Sequence, residues 1–282
     1  MSIVLLDSGL GGLTVLHEAL QWLPHERYIY FADNGNVPYG TKPKETVRAC
    51  ILSAVRELVT EETKALLIAC NTATSIAIAD LRHQYSIPVI GMEPAVKPAV
   101  ELSRNTGKRV LVFATPLALK EAKYHDLVNR LGDSGHIDSQ PMPGLVTLAE
   151  EMEFDGPRVQ AYLQETLGGY SWEKYGTVVL GCTHFSFFRT ALSAFLPPYV
   201  QLIDGSAGTV RRLYELTNGG REEHADAAGP GRERSDRQKA DLVPPQVEFR
   251  HSGPDSAYTE RMRQALDWYR CDREAADRRE QG

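Results

Sequence analysis

Short apolar, β-branched runs alternate with stretches whose apolar residues recur every three or four positions, and the alternation persists through most of the chain. The runs at 3–6, 28–32, 65–69, 88–91, 109–113, 177–180, 200–203 and 246–250 read as strands. Between them, Leu13, Leu16, Leu20 and Leu23 line one face of a helix, and Val47, Ile51, Ala54, Val55 and Leu58 line another. Val159, Tyr162, Leu163 and Leu167 repeat the pattern later. Strands alternating with helices predict an α/β fold whose parallel sheets are covered on both faces. Such sheets hold ligands at the carboxyl ends of their strands.

Residues 219–245 break the rhythm: they are rich in Gly, Arg, Glu, Asp and Ala, with almost nothing to bury before Leu242. They are expected to form a flexible insertion ahead of the last strand. Residues 271–282 are expected to be a charged tail extending the preceding helix. A faint internal echo carries more weight. One apolar run ends in Asp7-Ser8, and about 60 residues on another ends in Ala69-Cys70-Asn71-Thr72. In the second half, one run ends in Thr115-Pro116, and some 65 residues on another ends in Gly181-Cys182-Thr183-His184. Each half thus offers a polar loop after one strand and a cysteine after a second. Two similar lobes facing each other would set Cys70 and Cys182 on opposite sides of one cleft.

Composition changes this picture little. A hydrophobic fraction of 42% and a charged fraction of 24% are those of an ordinary globular enzyme. A formal net charge of −6 works against non-specific nucleic-acid binding, which draws its affinity from phosphate neutralisation. The opening residues lack the basic stretch, apolar stretch and cleavage site of a signal peptide, and no apolar run approaches the roughly 18 residues of a membrane span. The cysteines at 50, 70, 182 and 271 are too far apart for a zinc-type pattern. These features predict a cytoplasmic protein with free thiols, no membrane or nucleic-acid partner and no metal.

Cys50 lies beside Ile51 on an amphipathic helix and reads as core; Cys271, among Arg270, Asp272 and Arg273, reads as exposed. Cys70 and Cys182 each follow a buried strand and precede a helix start, where the positive end of the helix favours the thiolate. His184 is placed either to relay a proton to Cys182 and hydrogen-bond a substrate, or to bond backbone. Asp7 is either a helix cap or a carboxylate assisting a base or holding a substrate ammonium. Asn71, Thr72 and Thr183 offer hydroxyls, an amide and helix-start N–H groups suited to carboxylates. The Pro38-Tyr39-Gly40 turn offers backbone amides and a phenol. A dinucleotide fingerprint fails, since Thr14 stands where its third glycine belongs.

Four segments together resemble glutamate racemases, within the aspartate/glutamate racemase superfamily. They are Asp7-Ser8-Gly9-Leu10-Gly11-Gly12, Tyr30-Phe31-Ala32-Asp33 with Val37-Pro38-Tyr39-Gly40-Thr41-Lys42, Ala69-Cys70-Asn71-Thr72, and Gly181-Cys182-Thr183-His184. The resemblance implies two parallel-sheet α/β lobes related by a pseudo-twofold axis, with the active site in the cleft between them. It divides the chain into 1–93 plus 207–270 and 94–206. It implies catalytic roles for Cys70 and Cys182, assisted by Asp7 and His184. Substrate contacts are implied for Asp7, Ser8, Tyr39, Gly40, Asn71, Thr72, Thr115, Thr183 and His184, and an acidic position near the site for Glu150. It further implies a cofactor-independent homodimer that interconverts L- and D-glutamate for peptidoglycan. Two departures stand out: Ala118 replaces a threonine common in the Thr-x-x-Thr loop, and Phe185-Ser186 replaces Tyr-Pro after the second cysteine.

Inverting a stereocentre means removing the α-proton on one face and returning one on the other, so two bases on opposite walls are the direct solution. Alternatives are a racemase for another acidic amino acid such as aspartate, or a two-lobed amino-acid-binding protein without turnover. The latter gives no reason for a matched cysteine pair.

Overall fold

A computed structural model describes residues 1–104, 106–131, 134–218 and 246–280. The expected insertion at 219–245 and the end of the tail lie outside the described residues. Nine strands form two wholly parallel sheets among the described residues. The first contains β1 (Ser2–Asp7), β2 (Arg27–Ala32), β3 (Thr63–Ile68), β4 (Val89–Gly91) and β9 (Gln246–His251), in the order β4-β3-β1-β2-β9. The second contains β5 (Arg109–Ala114), β6 (Ile137–Pro141), β7 (Tyr175–Leu180) and β8 (Gln201–Asp204), in the order β6-β5-β7-β8.

Reading the second order backwards as β8-β7-β5-β6 superimposes it on β4-β3-β1-β2, so one four-stranded unit occurs twice. The register repeats as well: β1–β3 pairing shifts between Ser2 and Ile3, and β5–β7 pairing shifts between Arg109 and Val110. After those shifts the last pairs are Leu6 with Ile68 and Phe113 with Leu180. Cys70 and Cys182 both stand two residues beyond. The echo in the sequence is therefore a structural repeat.

The helices are α1 (Leu13–Trp22), α2 (Lys44–Leu58), α3 (Asn71–Gln84), α4 (Val96–Arg104), α5 (Pro116–Lys120), α6 (Ala122–Arg130), α7 (Pro143–Glu150), α8 (Pro157–Leu167), α9 (Arg189–Phe195), α10 (Ser206–Thr217) and α11 (Tyr258–Glu280). They cover both faces of each sheet, which is why the strands read as apolar runs rather than alternating ones. In β1, Val4 and Leu6 pack with Val47 and Ile51 of α2 and Ile76 of α3. Ile3 and Leu5 join Leu16 of α1 and Leu213 of α10 on the other side. That second core continues without a break into Leu111, Phe113, Val178 and Leu180 of the other sheet, joining the lobes. Val110, Val112 and Val179 pack against Val96, Ala99 and Val100 of α4.

The one strand not expected, β6, reads Ile-Asp-Ser-Gln-Pro; it lies at a sheet edge and buries Ile137. An edge strand with one apolar residue has no periodic signal. The last helix runs through to Glu280, so the charged segment beyond Arg270 is helical over its described part.

Candidate active site

Four loops follow β1, β3, β5 and β7 and converge where the carboxyl ends of the two sheets face each other. They carry Asp7 and Ser8, Cys70 to Thr72, Thr115, and Cys182 to His184. All of these side chains are buried. Cys70 caps α3, its sulfur accepting the Ala73 N–H at 3.4 Å, and its thiol donates to Ser8 Oγ at 3.8 Å. Cys182 precedes a 3-10 turn, Thr183–Phe188, and its Sγ lies 3.8 Å from His184 Nδ1. Cys271 is exposed as expected, whereas Cys50, expected in the core, is half-buried against its edge.

The expected lowering of the thiol pKa is not met at Cys70. Burial pushes its thiol far up, and negative charge on Asp7 and on Cys182 adds to the effect. The Ala73 N–H and Ser8 hydroxyl oppose it and lose. One helix-end amide offsets little of the cost of desolvating a sulfur anion. Charge on Cys182 is felt at Cys70, so the two sulfurs are close enough for charge on one to disfavour charge on the other.

Lobe one reaches into lobe two through several bonds. Thr183 Oγ1 donates to Asp7 Oδ1 at 3.2 Å, while the Gly9 N–H donates to Asp7 Oδ2 at 2.9 Å. Burial raises the Asp7 carboxyl above its ordinary value, opposed by charge on His184 and by the amides of Gly9 and Gly12. Thr72 and Thr115 share a hydroxyl hydrogen bond of 2.9 Å across the cleft. Tyr39 donates to the buried Asp33, which also accepts from Asn36, so the phenol of the Pro38-Tyr39-Gly40 turn is held in place. Gly40 lies where a Cβ would come within 2.4 Å of Thr115 Cβ, so this turn meets the other lobe through a bare backbone.

Behind Cys182, His184 Nε2 lies 2.7 Å from Glu150 Oε1 at the end of α7. The Leu10 N–H donates to the same oxygen at 2.7 Å, and the Tyr258 hydroxyl donates to Oε2 at 2.7 Å. Burial alone would lower the basicity of His184, but the Cys182 sulfur and the Glu150 carboxylate hold it well above the ordinary histidine value. Burial alone would raise Glu150, yet its bond and charge interaction with His184, with Tyr258 and the Leu10 amide, hold it below the usual range. Both directions describe an imidazolium between a sulfur and a carboxylate, with each ring nitrogen donating. The Gly11 amide 3.3 Å from Nε2 is then a close packing contact, since that nitrogen already donates to Glu150.

Asn71 is the exception in this otherwise paired site. Its side-chain oxygen and nitrogen are both buried with no hydrogen-bond partner. Buried polar atoms are rarely left unpaired, and a pair pointing at a cleft suits a ligand carboxylate or ammonium. Ala118 lies beside it, lining a cavity with Asn71, Ala114, Gly181, Lys123 and Arg130. Its methyl adds no hydroxyl there. Phe185 and Ser186 are buried behind Cys182, with Ser186 donating to Asp204 at 3.3 Å.

The strand-end loops and the Tyr39-Gly40 turn thus bring Asp7, Ser8, Cys70 to Thr72, Thr115 and Cys182 to His184 together, while Cys50 and Cys271 lie elsewhere. Tyr30, Asp33 and Tyr258 were not singled out. Tyr30, within the strand β2, donates to the Gly9 carbonyl at 2.7 Å and fixes the glycine loop. Asp33 follows directly on β2, and only its burial beside Tyr39 marks it out. Tyr258 belongs to no motif, and 108 positions separate it from its partner Glu150.

Two facing parallel-sheet lobes with polar strand-end loops between them place the chain among two-lobed α/β enzymes. The chain belongs to the Asp/Glu/Hydantoin racemase family, whose pattern it matches over residues 8–213. It is 53% identical over 216 residues to the glutamate racemase of Halothermothrix orenii, covering 77% of this chain and 85% of that one. Glutamate racemase 2 of Bacillus subtilis is 48% identical, over 77% of this chain and 82% of its own. Among solved structures, the Francisella tularensis glutamate racemase in complex with D-glutamate aligns with a TM-score of 0.75 at 26% identity, covering 94% of this chain and 93% of that chain. The Escherichia coli glutamate racemase in complex with L-glutamate and the activator UDP-MurNAc-ala aligns with a TM-score of 0.73 at 28% identity, covering 94% and 95%. An aspartate racemase of Picrophilus torridus shares the fold at a TM-score of 0.52 and 13% identity.

Proposed function

We propose that the chain interconverts L- and D-glutamate by moving the α-proton between Cys70 and Cys182. The observation that carries this is the equivalence of the two sulfurs: each stands two residues beyond the last paired residue of the same strand of a repeated sheet, within electrostatic reach of the other. Glutamate as substrate is supported by relatives of 43–53% identity named as glutamate racemases, and by neighbours solved with either glutamate enantiomer.

In the cycle, a thiolate on one wall takes the α-hydrogen as a proton, breaking C–H and forming S–H. The electron pair stays on the α-carbon and spreads into the carboxylate. The opposite thiol then gives its proton to the other face and becomes the thiolate. The two sulfurs exchange roles for the reverse reaction, and every proton is accounted for without a cofactor. Asn71, Thr72, Thr115 and Thr183 are suited to hold the substrate carboxylates, with Ser8, Tyr39 and Gly40 closing the other side. Donors at the α-carboxylate stabilise the charge that develops there. Asp7 supports the wall of Cys70 and His184 that of Cys182. A closed cleft slows exchange of the intermediate with water. A homodimer, a cytoplasmic location and supply of D-glutamate to peptidoglycan belong to the same proposal and rest on the resemblance. Among the described residues no helix is long and apolar enough to cross a membrane.

The direct test is circular dichroism of the pure protein with each glutamate enantiomer and, alongside, each aspartate enantiomer. Optical activity should decay to zero from either glutamate enantiomer and far more slowly from aspartate; a faster loss with aspartate would reassign the substrate, and no loss with any would remove the enzymatic reading.

Asn71 supplies a second prediction. In Asn71→Leu, two unpaired buried polar atoms give way to a side chain of similar size. Removing a desolvation penalty of about 1–3 kcal/mol should raise the melting temperature of the free protein by about 2–6 °C. The KM for glutamate should rise at least about tenfold, because the carboxylate loses its partners. A lower melting temperature with unchanged KM would contradict both halves.

A further inference from the structure

We propose that Tyr258 is a positioning residue of the reaction, acting through Glu150 and His184 on proton transfer at Cys182. The inference rests on the two-cysteine reading and assigns the last helix a part in one of its two half-reactions.

Tyr258 is the first residue of α11 and is 3% exposed. Its ring centre sits 5.6 Å from that of the His251 ring at the end of β9, and the Arg261 guanidinium carbon lies over the ring, 5.6 Å from its centre. These neighbours belong to the first sheet and its last helix. The hydroxyl points the other way, donating to Glu150 Oε2 at the end of α7, beside the second sheet. Glu150 has two oxygens with different tasks: Oε1 meets the Leu10 amide and His184 Nε2, and Oε2 meets Tyr258. Two donors on one oxygen fix a distance but leave the carboxylate free to turn about them. A donor on the second oxygen fixes the plane. With the plane fixed, the imidazole has one orientation, and Nδ1 is aimed at Cys182 Sγ.

The opposite wall has no such line. Cys70 is held by Ser8 and the Ala73 amide, neither of which bonds to Glu150 or Tyr258. A change at Tyr258 therefore acts on the step in which Cys182 Sγ exchanges a proton with the α-carbon and leaves the Cys70 step as it was. That asymmetry separates positioning from general support of the fold. A loosened fold slows both steps; a loosened imidazole slows one.

Kinetics of the full chain with α-deuterated substrates resolve the two. Overall equilibrium fixes the ratio of kcat/KM in the two directions, so kcat/KM should fall about tenfold for both enantiomers in Tyr258→Phe. The isotope effects on kcat/KM should move apart. The enantiomer deprotonated by Cys182 should show a larger effect than with the wild-type enzyme, since its C–H cleavage becomes limiting. The other enantiomer should show a smaller one, since its C–H cleavage now precedes the slow step. In a Glu150→Gln background, Tyr258→Phe should add less than a twofold change, because its route is already cut. Replacing Tyr258 with 4-aminophenylalanine, which keeps an N–H donor at the same reach, should restore kcat/KM to within about threefold of wild type. Isotope effects that stay together, or a Tyr258→Phe effect undiminished by Glu150→Gln, would overturn the assignment. Absence of α-hydrogen exchange in the wild-type enzyme would instead overturn the two-cysteine reading itself, so the two failures are distinguishable.

Discussion

Replacing either sulfur should end racemisation in both directions. In Cys70→Ser and in Cys182→Ser the rate should fall by at least about a thousandfold, or some 4 kcal/mol of barrier. Serine keeps the size and a hydrogen-bonding atom, so the surrounding contacts survive. It loses acidity: a hydroxyl gives far less anion than a thiol at neutral pH, and far less again when buried. Because each turnover in either direction uses one sulfur as base and the other as acid, a single loss blocks both directions. Circular dichroism with each enantiomer, together with a melting curve showing that the variant is folded, checks this. Full activity in either variant would remove the pair from the mechanism.

The second large effect needs no change to a reactive group. A Cβ on Gly11 would lie 2.4 Å from His184 Nδ1, 2.5 Å from Thr183 Oγ1 and 2.7 Å from the His184 amide nitrogen. The last of these is backbone, so the overlap is not relieved by turning one side chain. Gly11→Ala must push the first lobe's glycine loop away from the turn that carries Cys182. The Thr183–Asp7 and Leu10–Glu150 bonds span that same gap, and the turn they hold carries the His184–Cys182 contact. Displacing a reacting group by about 1 Å costs on the order of a hundredfold, and kcat/KM should fall by at least that much. The melting temperature should fall as well, since the overlap lies in a packed interface. An alanine variant with wild-type kcat/KM would mean the lobes do not meet at Gly11 during turnover.

Much of this was legible along the chain because parallel strands buried on both faces leave unbroken apolar runs. β1, β3, β5 and β7 announce themselves in that way, and the polar residues that end them mark the cleft. The cysteine pair was legible for the same reason, since a repeated sheet repeats the residue that follows its strands. β6 was not, because an edge strand holding one buried isoleucine carries no period. Nor was the acidity of Cys70: position at a helix start is visible in sequence, whereas complete burial beside Asp7 is not, and burial is the larger effect. The support behind His184 was hidden for a third reason. Glu150 and Tyr258 reach the site from elements that no motif spans, and only the folded chain brings them to it.

The central claim is that a hydrogen leaves the α-carbon as a proton and a different one returns to the opposite face. It is tested most directly by incubating the wild-type protein with L-glutamate in deuterated water and analysing the separated enantiomers by proton NMR or mass spectrometry. The account predicts that the D-glutamate formed early carries deuterium at the α-carbon. D-glutamate that appears with its original α-hydrogen intact would contradict it.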